Sequence, residues 1–99
     1  MNFGTYVRRL RQQANLTQDG LARKCGLSKA YINQLESAKT DPPTRQVCRT
    51  LARALAADEN ELWKYAFTAR LEKWLNKEGF KRVSADLLSS FFANLSDRR

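Results

Sequence analysis

Thr17-Gln18-Asp19-Gly20-Leu21-Ala22-Arg23-Lys24-Cys25-Gly26-Leu27-Ser28-Lys29-Ala30-Tyr31-Ile32-Asn33-Gln34-Leu35-Glu36 contains two short helical patterns with only Gly26 and Leu27 between them. Thr17 offers an N-cap hydroxyl to the first. Leu21, Ala22 and Cys25 give that helix a short apolar stripe, and Gly26 stops it. Gly20 lies inside it at a cost of roughly 1 kcal/mol relative to Ala. Ser28 caps the second helix, which runs from Lys29 to about Ser37 with Ile32 and Leu35 turned inward. Small residues stand where two helices would cross closely, and apolar residues lock the crossing.

The flanking sequence is helical as well. No stretch sustains the apolar–polar alternation of a strand. Val7, Leu10 and Ala14 recur at helical spacing and predict a helix from about Thr5 to Ala14, closed by Asn15 in the left-handed conformation. A polar loop, Ala38 to Pro43, precedes Thr44, which caps a helix carrying Val47, Leu51 and Leu55. Asp58 caps a further helix reaching about Lys77, and Gly79 ends it. A last segment capped at Ser84 gathers Leu87, Leu88, Phe91, Phe92 and Leu95.

Composition narrows the function. The 99 residues carry a net charge of +8 and a pI near 10.0. Residues 1–57 hold ten basic side chains against three acidic ones, a net of +7, while residues 58–99 are nearly neutral at +1. That asymmetry suggests a part that binds a polyanion and a part with another job. The chain has no histidine, so the commonest general base and metal ligand is missing. Two cysteines, Cys25 and Cys48, are too few for a disulfide framework or a four-ligand zinc site and read as small core residues. No nucleophile–base pair or phosphate-binding glycine loop argues for an enzyme. The chain lacks the signatures of the common RNA-binding sheet and GXXG domains. No apolar run is long enough for a membrane span, and the start has no secretory core, so a cytoplasmic protein without membrane partners is expected.

Two helices across a tight glycine turn make a helix-turn-helix. The second projects Lys29, Ala30, Asn33 and Gln34 outward, away from Ile32 and Leu35. The stretch resembles the Cro/phage-repressor (XRE-type) helix-turn-helix family through Thr17, Gln18, Leu21, Ala22, Gly26, Leu27, Ser28, Ile32, Leu35, Glu36, Lys39 and Pro42. The likeness extends over about residues 3–62. One departure is Ala38, where the family usually has glycine.

The resemblance implies an all-α fold with a five-helix lambda-repressor-like DNA-binding domain at 1–62; the less family-like remainder, 63–99, is expected to be a helical C-terminal extension for dimerisation. It implies that Lys29, Ala30, Asn33 and Gln34 read base edges in the major groove of double-stranded DNA. Lys suits guanine O6/N7, Asn and Gln suit adenine N6/N7, and Ala30 suits a thymine methyl. Gln18, Ser28, Tyr31, Ser37, Lys39, Thr44 and Arg45 fall at phosphate-contacting positions. Arg11 and Glu36 form a structural ion pair that orients the helices. No cofactor, metal or catalytic residue is implied.

Trp63, Phe67, Leu71, Trp74 and Leu75 make a wide apolar stripe, and Leu88, Phe91, Phe92 and Leu95 make another. Self-association through them would place two reading helices one DNA turn, roughly 34 Å, apart. The leading expectation is therefore a homodimeric transcription regulator, a repressor, on a palindromic operator. In a second reading, antitoxin-like, the same aromatic stripes hold a partner protein such as a toxin.

Overall fold

Each helix begins where a side-chain oxygen takes up a free backbone amide. The computed structural model describes residues 1–77 and residue 93. The expected last stripe (Leu87, Leu88, Phe91, Phe92, Leu95), with Ser84 and Gly79, lies outside the described residues. Helix α1 spans Phe3–Gln13, α2 Gln18–Cys25, α3 Lys29–Glu36, α4 Arg45–Leu55 and α5 Glu59–Lys77. Thr17 accepts from the Gly20 amide at 2.9 Å, Ser28 from Tyr31 at 3.0 Å and Thr44 from Val47 at 3.3 Å. Asp58 accepts from Asn60 at 2.7 Å. Such caps contribute about 1 kcal/mol each. Helix α1 starts two residues before the expected Thr5, because Asn2 caps it by accepting from the Thr5 amide at 2.9 Å.

Helices α1 to α4 also share one ending. Asn15, Gly26, Ala38 and Ala56 take positive φ values of 57°, 68°, 58° and 52°. The next residue's amide then reaches back to a carbonyl five positions earlier: Leu16 to Arg11, Leu27 to Ala22, Lys39 to Gln34 and Ala57 to Ala52. This is the Schellman closure. Ala38 thus adopts the backbone that a glycine would take without strain.

The helices close around one core of Phe3, Val7, Leu21, Ala22, Ile32, Leu35, Cys48, Leu51, Ala52, Leu55, Leu62 and Ala66. Helix α1 packs on α3 and α5, and α4 packs on α2 and α5. Leu62 and Ala66 are the fully buried side of α5, so its core face lies beside, and not along, the Trp63–Phe67 stripe. Tyr6 stacks on Tyr65 with ring centres 4.6 Å apart.

The far half of α5 holds the loop after α3. Arg70 donates to the carbonyls of Pro42 at 2.8 Å and Pro43 at 3.1 Å, and Lys73 pairs with Asp41. Among the described residues, no helix is long and apolar enough to cross a membrane.

Candidate nucleic-acid interface

Helix α3 has two unlike sides. Ile32, Leu35 and Glu36 are buried, while Lys29, Ala30, Asn33 and Gln34 are exposed. Its helical period places the four exposed residues on one outer strip. Ser28 caps the helix, and its first turn carries no acid, so the positive pole of the helix is not offset there. Ser37 closes the other end by donating to the Asn33 carbonyl at 2.8 Å.

Under that strip lies a buried carboxylate. Glu36 is only 5% exposed. Arg11 donates to it twice, from Nε at 2.7 Å and from Nη2 at 3.0 Å. Arg8 Nε adds a contact at 3.4 Å and Gln18 Nε2 one at 3.1 Å. Burial pushes the Glu36 carboxyl up. The hydrogen bonds from Arg11 and Gln18, the Arg11 charge and the Arg8 bond outweigh it and hold the group below its ordinary range. Arg11 also donates to the Leu16 carbonyl at 2.8 Å, so one guanidinium joins α1, the α1–α2 turn and α3. Arg8 and Gln18 as partners of Glu36 were not anticipated. Gln18 was legible as a phosphate contact, not as a partner of Glu36.

Gln18 turns its other amide atom outward, where Oε1 accepts from Asn33 Nδ2 at 3.3 Å. The expected phosphate-contacting residues are placed unequally. Ser28, Ser37, Lys39, Thr44 and Arg45 are exposed, while Gln18 and Tyr31 are half-buried. Burial, and secondarily Cys48, raises the Tyr31 hydroxyl's pKa, so it stays a neutral donor. Arg45 is engaged: its Nε lies 3.4 Å from Glu59, Nη2 donates to Asn60 at 3.0 Å, and the guanidinium sits 5.6 Å from the centre of the Trp63 ring. Arg49 reaches the same Glu59 at 3.2 Å. A phosphate would compete with Glu59 for both.

The cysteines are chemically quiet. Burial pushes the Cys48 thiol up to about 11 and raises Cys25 as well. Of the expected dimer residues, Trp63, Phe67, Leu71 and Leu75 are half-buried, and Trp74 is 52% exposed. Trp63 packs against the core. Leu88, Phe91, Phe92 and Leu95 lie outside the described residues.

A family model described as a helix-turn-helix domain matches residues 2–63. The chain belongs to this helix-turn-helix family. That domain and the fold support a DNA-binding regulator. Among solved structures, a chain of the SinR protein/SinI protein complex superposes with a TM-score of 0.60, at 19% identity, over 97% of this chain and 96% of that one. At that identity the likeness is one of fold. No curated protein matches the chain.

Proposed function

We propose that this helix-turn-helix protein is a transcriptional repressor that binds an inverted-repeat DNA operator as a homodimer. The observation that carries the reading is the exposed strip Lys29, Ala30, Asn33 and Gln34 on a helix anchored from below by Glu36. A helix of this kind in the major groove presents donors and acceptors to base edges. Ser28, Tyr31, Ser37, Lys39 and Thr44 supply the surrounding phosphate contacts, with Gln18 contributing through its backbone amide at the start of α2 and Arg45 where it leaves Glu59. The net charge of +7 over residues 1–57 supports a polyanionic partner. Residues 1–62 carry DNA binding and residues 63–99 carry association, in a protein that works in the cytoplasm.

The experiment is selection of bound sites from a random duplex pool, with sedimentation of the free and bound protein. A palindrome with half-sites one turn apart and a dimeric complex are the expected results. An absence of any preferred duplex sinks the reading.

A second reading has support from one observation, the half-exposed Trp74 on α5. The similar solved structure is itself a complex of SinR with SinI. In this version the C-terminal stripes hold a different protein, antitoxin-like. A stable homodimer of the purified chain argues against it, and co-purification with the product of a neighbouring gene supports it.

A further inference from the structure

Three polar side chains form a directed line from the core to the outer strip. Glu36 is ionised and can only accept. Its oxygen therefore fixes Gln18 with the amino group inward, at 3.1 Å. Gln18 Oε1 must then face outward, where it can only accept, and Asn33 Nδ2 donates to it at 3.3 Å. Reversing either amide would set oxygen against oxygen or amino group against amino group. The charge at Glu36 thus orients two carboxamides in turn, and an amide orientation left open elsewhere is determined here by the chemistry of its neighbours.

The outward consequence is specific. Asn33 uses one N–H on Gln18, which leaves the second N–H and the carbonyl oxygen. An edge with one donor beside one acceptor complements adenine, whose N7 accepts and whose N6 amino group donates. Guanine offers two acceptors there, O6 and N7, and mismatches that edge. A carboxamide bound to nothing can turn its amino group toward either purine.

We propose that Gln18 is a positioning residue for base readout: held by Glu36, it locks Asn33 into the donor–acceptor orientation that selects adenine over guanine. This rests on the reading of α3 as the helix that enters the groove. Gln18 need not touch a base. Its effect on sequence preference passes through Asn33.

The test compares selected duplex sites for the full-length wild type, Asn33→Ala and Gln18→Met, which keeps the side-chain length and removes both amide bonds. The wild type should select adenine at one position in each half-site. Asn33→Ala should flatten that position. Gln18→Met should lower the adenine-to-guanine ratio at the same position on the order of ten-fold, leaving the other positions sharp. If Asn33→Ala flattens a position that Gln18→Met leaves intact, or if Gln18→Met weakens all sites equally, Gln18 is a phosphate contact only and the proposal is overturned. A wild type with no preferred duplex defeats the DNA reading itself, a different failure. Should Gln18→Met not fold, NMR of the free wild type decides. The Asn33 amide proton held by Gln18 should exchange with water several-fold more slowly than its twin, and equal exchange overturns the proposal.

Discussion

Gly4 of α1 lies directly against the end of the backbone of Glu36 in α3. A methyl group on its Cα would stand 2.4 Å from the Glu36 carbonyl oxygen and 2.6 Å from that of Leu35. Both neighbours are backbone, so neither can rotate away. Gly4→Ala would gain about 1 kcal/mol of helix propensity. Forcing the two helices apart in a packed core costs about 1–3 kcal/mol, and at 2.4 Å the upper end applies. Thermal unfolding is therefore expected to show a net loss of about 1–2 kcal/mol. Because α3 is the element displaced, DNA affinity should fall with it.

The Glu36 cluster predicts a pH-dependent loss. Arg11 is 13% exposed and Glu36 fully enclosed, so Arg11→Met leaves a buried carboxylate with only Arg8 and Gln18. Breaking a buried pair from one side costs about 3 kcal/mol or more at neutral pH. Glu36 titrates lower in the folded chain than its ordinary 4.5. Its pairing therefore contributes stability that is present above that value and is lost as pH falls through the folded pKa. Denaturant unfolding should show a wide gap between wild type and Arg11→Met at pH 7, narrowing below about pH 4. A gap of constant size would remove the ion pair as its cause.

What the sequence made readable was local. Thr17, Ser28, Thr44 and Asp58 announced helix starts, because a cap and its amide partner are two or three residues apart. Gly26 and Asn15 announced helix ends for the same reason. The contacts hidden from it join distant segments. Arg8 reaches Glu36 across 28 positions, and Arg70 reaches Pro42 across the same span. Gly4 gave no signal, since a glycine in a helix looks like a weak former until the second backbone lies beside it. On α5, the large aromatic residues Trp63 and Phe67 stood out, yet the fully buried positions are Leu62 and Ala66. The outer strip of α3 followed from period alone, whereas the Gln18–Asn33 bond depends on how two helices cross.

Ala38 offers a stabilising change. Its φ of 58° is left-handed, which costs an alanine roughly 1–2 kcal/mol. Ala38→Gly removes that strain, less about 0.4–1 kcal/mol for the looser unfolded chain. A net gain of about 0.5 kcal/mol is expected, read as a rise of roughly 2–4 °C in Tm. Ala56, with φ of 52°, should respond in the same direction. A fall in Tm at both sites would show that the left-handed turns are held without strain.

Two lysines near α3 should behave differently in DNA binding. Lys29 stands on the outer strip and Lys39 on the loop beyond it, both exposed. Lys29→Ala should cost about 1–3 kcal/mol at its preferred base pair and relax choice there. Lys39→Ala should weaken all sequences alike and lower the slope of log affinity against log salt by about 1. Titrations at several salt concentrations on matched and mismatched duplexes separate the two. Identical effects of the two variants would remove Lys29 from base readout.

Helix α5 crosses the end of the family match at residue 63 without a break, and what lies beyond is used by the DNA-binding part. Tyr65 stacks on Tyr6, Ala66 is fully buried, and Arg70 and Lys73 hold the loop that carries Lys39. A chain cut after residue 63 exposes the core surface beneath Tyr65 and Ala66. At about 25 cal/mol per Å² of apolar area, uncovering even ~100 Å² costs about 2.5 kcal/mol, a large share of a small domain's stability. The 1–63 fragment is therefore expected to melt well below a 1–77 fragment in circular dichroism. Within 1–77, Arg70→Ala should cost about 1 kcal/mol and speed hydrogen exchange in the loop of residues 38–43. Equal melting of the two fragments would mean that α5 beyond residue 63 rests on the domain without supporting it.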